Sequence, residues 1–470
     1  MGADTGRGIS GTDSRRGTDP GPGTDPGAGI EPGRGADRGH SGGRGHSGEP
    51  FRRSVEEHAG EVRRLLGRVA AGVAARTEEV PLRAARGCLL AADLEAPHSL
   101  PPFDNSQMDG FAVRTADLRR DGAGGPAVLR AVAPIPAGPA RPGGDGCSHG
   151  AGTAAPIMTG APLPAGADAV VPVEAADPPR FPSSGGTVGL PVDVEPGQYV
   201  RRAGSDIAAG DVALRAGTRL TVRHLGLAAA LGFATLRVRA RPRALVVATG
   251  DEIVSPGRPL APGQIHDANS TLVAAALDAD GWEAVVETIS SDTPTEFLSR
   301  LRAAAAEQGA DLILTSGGIS QGAYEVVKLA LAERGVGFGS VAMQPGGPQG
   351  LGVLRWDDGT GTPMLAFPGN PVSTYVSYEM FLRPASAELL GTAPRRELEA
   401  ALAAPTDSPP GKLQVRRARL LDAGGETRVE LVGGPGSHLL HALAESDALA
   451  LVPPEATHLP AGSPVRVLVL

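Results

Sequence analysis

Four short polar segments, each placed after an apolar run, are the residues of this 470-residue chain best suited to chemistry. They are residues 249–252 (Thr-Gly-Asp-Glu), 290–292 (Ser-Ser-Asp), 316–320 (Ser-Gly-Gly-Ile-Ser) and 367–373 (Phe-Pro-Gly-Asn-Pro-Val-Ser). An apolar run that ends in small polar residues is typical of a buried parallel strand whose carboxyl end opens into a ligand loop. Because such ends meet at one edge of a parallel sheet, we expect the four segments to lie together.

The residue types in these loops favour a phosphorylated ligand and a divalent cation. Glycine amides, and the start of the helix expected from about Tyr324, can hold phosphate. The carboxylates of Asp251, Glu252 and Asp292 offer the hard oxygen ligands that suit Mg²⁺. The alternative is that each loop is only a turn, with Asp or Asn as a helix cap. One loop would not decide between the two, whereas four loops at one sheet edge favour the ligand site.

A second set of polar segments lies earlier in the chain. Residues 104–112 are polar up to the start of an apolar run, apart from Met108, and residues 157–162 and 201–206 are similar. Spacing alone does not make any of them diagnostic. The alternative interpretation is that Asp109 and Gly110 form a turn and that the arginines at 201 and 202 are solvated.

Alternating strands and helices between about 242 and 390 must position the four loops. The candidate strands are residues 243–249, 284–289, 311–315 and 363–367. Thr293, followed by Pro294, can cap one intervening helix. Asn370 can cap another, which is expected to end before Pro384. Strands joined by crossover helices form a parallel sheet that is covered on both faces.

The flanking regions show other patterns. Residues 1–50 contain almost no large apolar residue, so we expect a disordered tail. Order is expected to begin at Ser54, which forms a capping box with Glu57. The helix that follows has one apolar face, made by Val55, Val62, Leu65, Leu66, Val69 and Val73.

Short apolar runs separated by Gly and Pro predict a small β-rich domain from about 112 to 192, with a surface loop at 138–152. From about 392 the pattern returns to strands, which predicts a small β-barrel or sandwich. Its clearest strand candidates are residues 413–421, 428–432 and 465–470.

Composition limits the class of protein. The length predicts several domains, and 41% hydrophobic residues suffice for globular packing. A net charge of −8 argues against nucleic acid as the main partner. Cys88 and Cys147 are too few for a disulfide framework and do not suggest a metal site, so a reducing cytoplasm is expected. We find no leader-like segment and no apolar run of membrane-spanning length, so no membrane association is expected.

Six of these blocks occur in the order that is typical of the molybdopterin molybdotransferases. That family includes bacterial cofactor-assembly enzymes and the C-terminal domain of gephyrin. The resemblance covers about residues 54–470, and it is specific because all six blocks are present in order. The blocks are residues 104–113, 157–164, 201–207, 249–252, 316–322 and 367–373.

The resemblance implies an α/β multidomain fold and a homodimer whose active site mixes residues of both chains. After the tail it implies an elongated linker domain, a β-rich insertion domain, a three-layer α/β domain with a parallel-rich sheet, and a C-terminal domain that resembles a β-barrel. The corresponding ranges are 51–111 with 193–241, then 112–192, 242–391 and 392–470.

The resemblance also implies an activity: molybdate is inserted into adenylylated molybdopterin, AMP is released and Mg²⁺ is required. The expected catalytic residues are Asp109, Thr159, Asp206, Glu252, Asp292 and Glu325. The expected cofactor-binding residues come from the predicted loops and from the resemblance. They are Thr249, Gly250, Ser316, Gly317, Gly318, Ser320, Lys328, Pro368, Gly369, Asn370, Pro371 and Ser437. The expected metal ligands are Asp251, Glu252 and Asp292.

This chain departs from the family pattern in two places. Many members have aspartate where this chain has Glu325. The family's Lys-Pro-Gly-Lys is Gln344-Pro345-Gly346-Gly347 here, so two cations near the anion site are missing. Lys328, Arg201 and Arg202 are the candidates to replace them.

Two other functions are compatible with the sequence. The loss of both lysines would fit a pterin-binding or scaffold protein that has lost its chemistry. An adenylyltransferase that acts one step earlier shares the Ser-Gly-Gly α/β domain, but it would leave the N-terminal blocks unexplained. That adenylyltransferase is also a candidate partner.

Overall fold

The computed structural model describes residues 50–118, 125–138, 150–291, 293–317 and 325–470. The predicted tail, up to residue 49, lies outside this range, as does most of the predicted loop at 138–152. Three predicted site residues also lie outside it, and so does the side chain of Glu325. Those three are Asp292, Gly318 and Ser320.

The chain from residue 50 to 241 contains twelve of the described strands and two of the described α-helices. The strands are β1 (Phe51–Arg53), β2 (Thr77–Pro81), β3 (Leu94–Glu95), β4 (Asn105–Ser106), β5 (Gly110–Val113), β6 (Ala127–Ala131), β7 (Thr153–Ile157), β8 (Ala169–Pro172), β9 (Thr187–Leu190), β10 (Val200–Arg201), β11 (Val212–Leu214) and β12 (Thr235–Arg239). The helices are α1 (Val55–Val73) and α2 (Val222–Ala230). Strands β5 to β9 form one five-stranded sheet, in the order β8-β5-β7-β6-β9.

The next region, to residue 391, alternates strands with helices as predicted. The strands are β13 (Arg243–Ala248), β14 (Ile253–Val254), β15 (Ile265–His266), β16 (Glu283–Thr288), β17 (Leu312–Ser316), β18 (Val336–Val341), β19 (Met343–Gln344), β20 (Pro348–Arg355) and β21 (Gly361–Phe367). The helices are α3 (Ala268–Ala279), α4 (Pro294–Gln308), α5 (Glu325–Glu333), α6 (Pro371–Ser377) and α7 (Arg383–Leu390).

A seven-stranded sheet in the order β1-β18-β20-β21-β17-β13-β16 forms the centre of this region. Its half that contains β21, β17, β13 and β16 is parallel, and β20 is antiparallel to both of its neighbours. Apolar clusters cover both faces, one containing Trp282 and the other Trp356. The predicted parallel-rich sheet is therefore confirmed, with an antiparallel strand that the sequence did not reveal.

Order begins earlier than predicted. Strand β1 precedes Ser54 and pairs in parallel with β18, Phe51 opposite Gly339. A Cβ at Gly339 would clash with the Phe51 carbonyl oxygen, so the glycine makes room for this added strand. The capping box itself is confirmed: the Glu57 amide donates to Ser54 Oγ at 3.1 Å. The predicted apolar face of α1 is buried, in the cluster that covers one face of the large sheet.

The prediction that the helix starting at Asn370 ends before Pro384 is wrong. The backbone stays helical through a π-helical segment, Tyr378–Leu382, and continues into α7 with Pro384 in its first turn. Proline lacks an amide hydrogen and its ring crowds the preceding turn of a regular α-helix. The wider π turn directly before Pro384 accommodates the ring without ending the helix.

The C-terminal region forms a closed barrel, as predicted. Its elements are β22 (Glu397–Leu402), β23 (Thr406–Asp407), β24 (Leu413–Ala423), β25 (Glu426–Leu431), α8 (Leu440–Ala444), β26 (Ala448–Val452), β27 (His458–Leu459) and β28 (Pro464–Val469). Strands β24, β25, β22, β28 and β26 are neighbours in that order, and β26 pairs with β24 to close the ring. None of the helices in the described chain is both long and apolar enough to cross a membrane.

His58 on α1 makes the stability of the central sheet dependent on pH. Its ring is fully buried between Phe51 and Phe381, and neither ring nitrogen has a hydrogen-bond partner among the described residues. Burial, and secondly the charge of Arg53, lower the pKa of His58 to about 4. The unfolded chain therefore binds a proton between about pH 6.5 and pH 4 that the folded chain excludes.

We expect the free energy of unfolding to be highest above about pH 6.5 and to fall as the pH decreases. From about pH 7.5 to pH 5 the contribution of His58 to this loss should be about 2 kcal/mol. Urea unfolding followed by the fluorescence of Trp282 and Trp356, which lie on the two faces of the sheet, measures it. The His58→Leu variant should lack this part of the pH dependence. Parallel pH curves for wild type and variant would contradict the assignment.

Candidate active site

Two of the four predicted loops meet at the carboxyl edge of the large sheet. Ser316, at the end of β17, has its Oγ 3.3 Å from Thr374 Oγ1. Thr374 Oγ1 also donates to the Pro368 carbonyl at 2.6 Å, and the Gly317 amide donates to the Phe367 carbonyl at 3.1 Å. The loop after β17 and the loop after β21 are therefore held together by hydrogen bonds.

Glycines keep the backbone of these loops close together. A Cβ at Gly369 would lie only 3.2 Å from Gly317 Cα, so position 369 favours glycine. Gly317 also has a φ of +98°, a conformation that other residues rarely adopt. Neither residue has a side chain, so a ligand can approach the backbone closely here, although the Gly317 amide itself is already bonded to the Phe367 carbonyl.

The acidic loop after β13 lies beside them. The nearest atom to a Cβ at Gly317 would be the Thr249 carbonyl oxygen, at 3.6 Å. The carboxylate of Glu252 folds back over Gly250, whose φ is +133°. Asp251 accepts a hydrogen bond from Ser290 Oγ, which brings the loop after β16 to the same edge. The structure thus gathers residues from all four predicted loops.

Asn269, near the start of α3, is a further candidate site residue that was not predicted from the sequence. Its Nδ2 donates to the Gly369 carbonyl at 2.6 Å. Its Oδ1 and the nearby Thr249 Oγ1 are buried and have no hydrogen-bond partner in the described part of the chain. Buried polar atoms normally have partners, so these two are available to a ligand. In the sequence Asn269 is indistinguishable from a residue in an ordinary helix cap.

A cavity of about 490 Å³ extends from the loop after β21 towards the barrel. Its polar lining includes Gln344, Asn370, Ser373, Lys412 and Ser437. The Val372 amide donates to the Ser437 carbonyl at 3.1 Å, so the barrel loop and the start of α6 are joined directly. The predicted residues Pro368, Gly369, Asn370 and Ser437 all line this one cavity.

Asp109 and Thr159 form a second constellation. Asp109 Oδ1 accepts from the Thr159 amide at 2.7 Å and from its hydroxyl at 2.8 Å. These bonds, first the one from the amide, lower the pKa of Asp109, so the exposed carboxylate is ionised and held in one orientation. Within the described ranges, no hydrogen bond or ion pair links Asp109, Thr159 or Asp206 to the four loops.

None of the three candidates for the missing cations is among the described residues that line the cavity. Lys328 Nζ lies 6.0 Å from the centre of the Phe338 ring, on β18. Arg202 is paired with Asp104 at 2.6 Å. Lys412, which the sequence analysis did not single out, lines the cavity instead. Lys412 could not be predicted from the sequence, because it belongs to the barrel and is far along the chain from the four loops.

The predicted metal ligands are only partly described. Asp251 and Glu252 are exposed neighbours at the sheet edge, and Asp292 lies outside the described ranges. Among the residues that are described, no group of three His, Cys, Asp or Glu side chains comes together as a ready metal site. The two carboxylates lie beside glycine backbone where a phosphate group can approach. They could therefore supply part of the coordination of a cation, and the phosphate could supply the rest.

The fold defines the class: a multidomain α/β protein with a mixed central sheet, a β-rich N-terminal part and a closed C-terminal barrel. Three family models match along the chain. Residues 53–232 match the "MoeA N-terminal region (domain I and II)". Residues 245–388 match the "Probable molybdopterin binding domain", and residues 399–470 match the "MoeA C-terminal region (domain IV)".

Named relatives agree with these matches. Molybdopterin molybdenumtransferase 2 of Mycobacterium tuberculosis (strain H37Rv) is 43% identical, over 88% of this chain and 99% of that protein. The molybdopterin molybdenumtransferase of Haemophilus influenzae is 33% identical, over 83% of this chain and 93% of that protein. The crystal structure of a molybdopterin biosynthesis MoeA protein from Pyrococcus horikoshii matches with a TM-score of 0.69 and 27% identity. The match covers 88% of this chain and 98% of that protein. The chain belongs to the molybdopterin molybdenumtransferase (MoeA) family.

Proposed function

We propose that this chain inserts molybdenum from molybdate into adenylylated molybdopterin and releases AMP, with Mg²⁺ as a cofactor. One observation carries the proposal: Glu252, Ser316, Gly317 and Gly369 meet at one sheet edge beside a cavity lined by polar groups. Relatives that bear the name molybdopterin molybdenumtransferase, at 33% to 43% identity, support the reaction.

The residues take roles that suit their chemistry. The pyrophosphate would lie against the glycine backbone at Gly317 and Gly369, beside the hydroxyl of Ser316. Asp251 and Glu252, with Asp292, would hold Mg²⁺, which when bound neutralises phosphate charge. Glu252 would also accept a proton from the water that attacks the adenylyl phosphorus. The bond from that phosphorus to the molybdopterin phosphate then breaks, and AMP is released. Glu325, which opens α5, is our further candidate to accept a proton.

We propose that a second copy of the chain completes the site. Asp109 and Thr159 are exposed and already hydrogen-bonded to each other, and they are not bonded to the four loops within the described residues. A homodimer in which Asp109, Thr159 and Asp206 of one copy face the loops of the other would use both sets. We further propose a cytoplasmic location and a separate adenylyltransferase that supplies the substrate.

A complementation experiment tests the shared site. Asp109→Ala and Glu252→Ala proteins should each be inactive, because each lacks one half of every site. Mixed by co-expression, half of the dimers would be mixed and each would hold one intact site, which gives about a quarter of the wild-type activity. Activity of the mixture no higher than that of either variant would place both residues in the same chain's site.

The reaction itself is tested with the purified chain, adenylylated molybdopterin, molybdate and Mg²⁺. AMP, measured by chromatography, should appear only when molybdate and Mg²⁺ are both present. Binding of adenylylated molybdopterin without any release of AMP would favour the scaffold function. The observation that supports the scaffold function is that Gln344 and Gly347 stand where the family has lysines. Consumption of ATP and unmodified molybdopterin would instead indicate the adenylyltransferase activity.

A further inference from the structure

The chain has almost no lysine, and one of its lysines lines the cavity. Of its 44 lysine and arginine residues, all are arginine except Lys328 and Lys412. In a chain that uses arginine at nearly every basic position, each lysine is an exception to the composition. Lysine carries a compact ammonium that arginine's planar fork does not reproduce. Lys328 packs beside Phe338, whereas Lys412 is in the cavity wall.

Strand pairing places Lys412 next to the segment that lost its lysines. Strand β19 pairs in parallel with the start of β24, Met343 opposite Leu413. The Leu413 amide donates to the Ala342 carbonyl at 2.9 Å, and Gln414 Nε2 lies 3.4 Å from Gln344 Oε1. Lys412 directly precedes this paired segment. Lys412, an exposed residue, therefore lies on the same cavity wall as Gln344.

The cavity has no negative charge of its own to neutralise this lysine. Among the described residues that line it, Lys412 alone is ionisable. Lys412 also has no ion pair within the described part of the chain. The remaining polar lining consists of hydroxyls, amides and glycine backbone, which can donate hydrogen bonds to an anion.

Two buried arginines behind the cavity wall add positive charge. Arg416 and Arg417 are 8% and 3% exposed, and neither has a carboxylate partner in the described residues. Arg416 donates to Thr406 Oγ1 at 3.1 Å and to the Gly433 carbonyl at 3.2 Å. Arg417 donates to the Gly436 carbonyl at 3.0 Å and to that of Gly434.

These bonds hold the glycine loop that ends at Ser437, which is part of the cavity wall. Buried guanidinium groups without a counter-charge are costly, and an anion in front of them would offset part of that cost. Their field adds to that of Lys412, because all three residues lie on or directly before the same strand, β24.

We infer that Lys412 binds a tetrahedral dianion in this cavity and so takes over the charge that Gln344 and Gly347 no longer supply. The inference rests on the proposed function and adds to it the residue that sets oxyanion affinity in this chain. Molybdate and the phosphate group of the pterin share this chemistry, and the experiment distinguishes them.

Equilibrium dialysis of the full-length protein against molybdate, and separately against inorganic phosphate, measures binding without any turnover. We expect Lys412→Gln to weaken the binding of the preferred anion about tenfold or more, because a charge-assisted hydrogen bond is lost. Adding Gln344→Lys to that variant should restore most of the affinity. Arg428→Gln is the matched control: it removes one exposed positive charge, paired with Glu426, from the same barrel.

Gln344→Glu provides a second, independent variant, which should weaken binding by placing a negative charge in the same cavity. Binding by Lys412→Gln that equals the wild type, or no measurable binding of either anion by the wild type, would overturn the inference. Tighter binding of molybdate assigns the cavity to the metal oxyanion, and tighter binding of phosphate assigns it to the pterin phosphate. Anion binding that depends on Lys412 without any AMP release would keep this inference and reject the proposed reaction.

Discussion

Replacing Glu252 with glutamine should lower the rate of AMP release by about a hundredfold to a thousandfold, while adenylylated molybdopterin still binds. Glutamine keeps the shape of the side chain and removes its charge, so the loop over Gly250 can stay folded. The positive φ of Gly250 and the contact of Asp251 with Ser290 fix where this carboxylate lies. The rate is measured as AMP released per enzyme, with substrate binding measured separately.

Glu283→Gln is the matched control for this variant. Glu283 opens β16 at the opposite edge of the same sheet, where it forms an exposed ion pair with Arg243 at 3.0 Å. Exposed pairs contribute little to stability, so this variant should release AMP within about twofold of the wild-type rate. Normal AMP release by Glu252→Gln would reject the role proposed for Glu252.

The sequence predicted the parallel half of the central sheet because its strands are locally distinct. Each contains a short apolar run and is followed by a glycine-containing or hydroxyl-rich loop. The four predicted strands appear as β13, β16, β17 and β21, with boundaries that differ by one or two residues. Since parallel strands share their carboxyl edge, the meeting of the loops followed from the strand prediction.

Strands β18 and β20 could not be predicted in the same way because glycines interrupt them. A Cβ at Gly350 would lie 2.6 Å from an atom of the Phe338 ring, so glycine is the residue that lets this aromatic side chain pack across the strand pair. Glycine in a strand usually lowers strand propensity, and its use for close packing depends on a partner strand. That partner is not visible in a local pattern.

The cavity was hidden for a related reason. Gln344 and Gln414 are 70 residues apart, and only the pairing of β19 with β24 brings their segments together. The sequence therefore identified the lost lysines and not the lysine that lies beside them in space. The same holds for Asn269, whose contact with Gly369 spans 100 residues.

Gly110→Ala should disturb the Asp109 constellation strongly, because Gly110 lies in a sheet and not in the simple turn that was the alternative interpretation. Gly110 opens β5 and pairs with Ile157 on one side and Pro172 on the other. A Cβ there would clash with the Val171 carbonyl oxygen, which is backbone and cannot rotate away. Separating β5 from β8 would also move Asp109, whose carbonyl accepts from the Val173 amide at 3.0 Å.

We expect the added methyl group to cost about 1–3 kcal/mol of stability, as overpacking usually does, and to reduce AMP release about tenfold or more by displacing the Asp109 carboxylate from Thr159. Hydrogen exchange of peptides that contain β5 should show faster exchange in the variant than in the wild type. Gly150→Ala is the control, since the nearest atom to a Cβ there, a Thr153 methyl carbon, is 3.9 Å away. If Gly110→Ala, like Gly150→Ala, matched the wild type in hydrogen exchange and in AMP release, the prediction would be contradicted. Glycine at position 110 would then not be required by the close approach of β5 and β8.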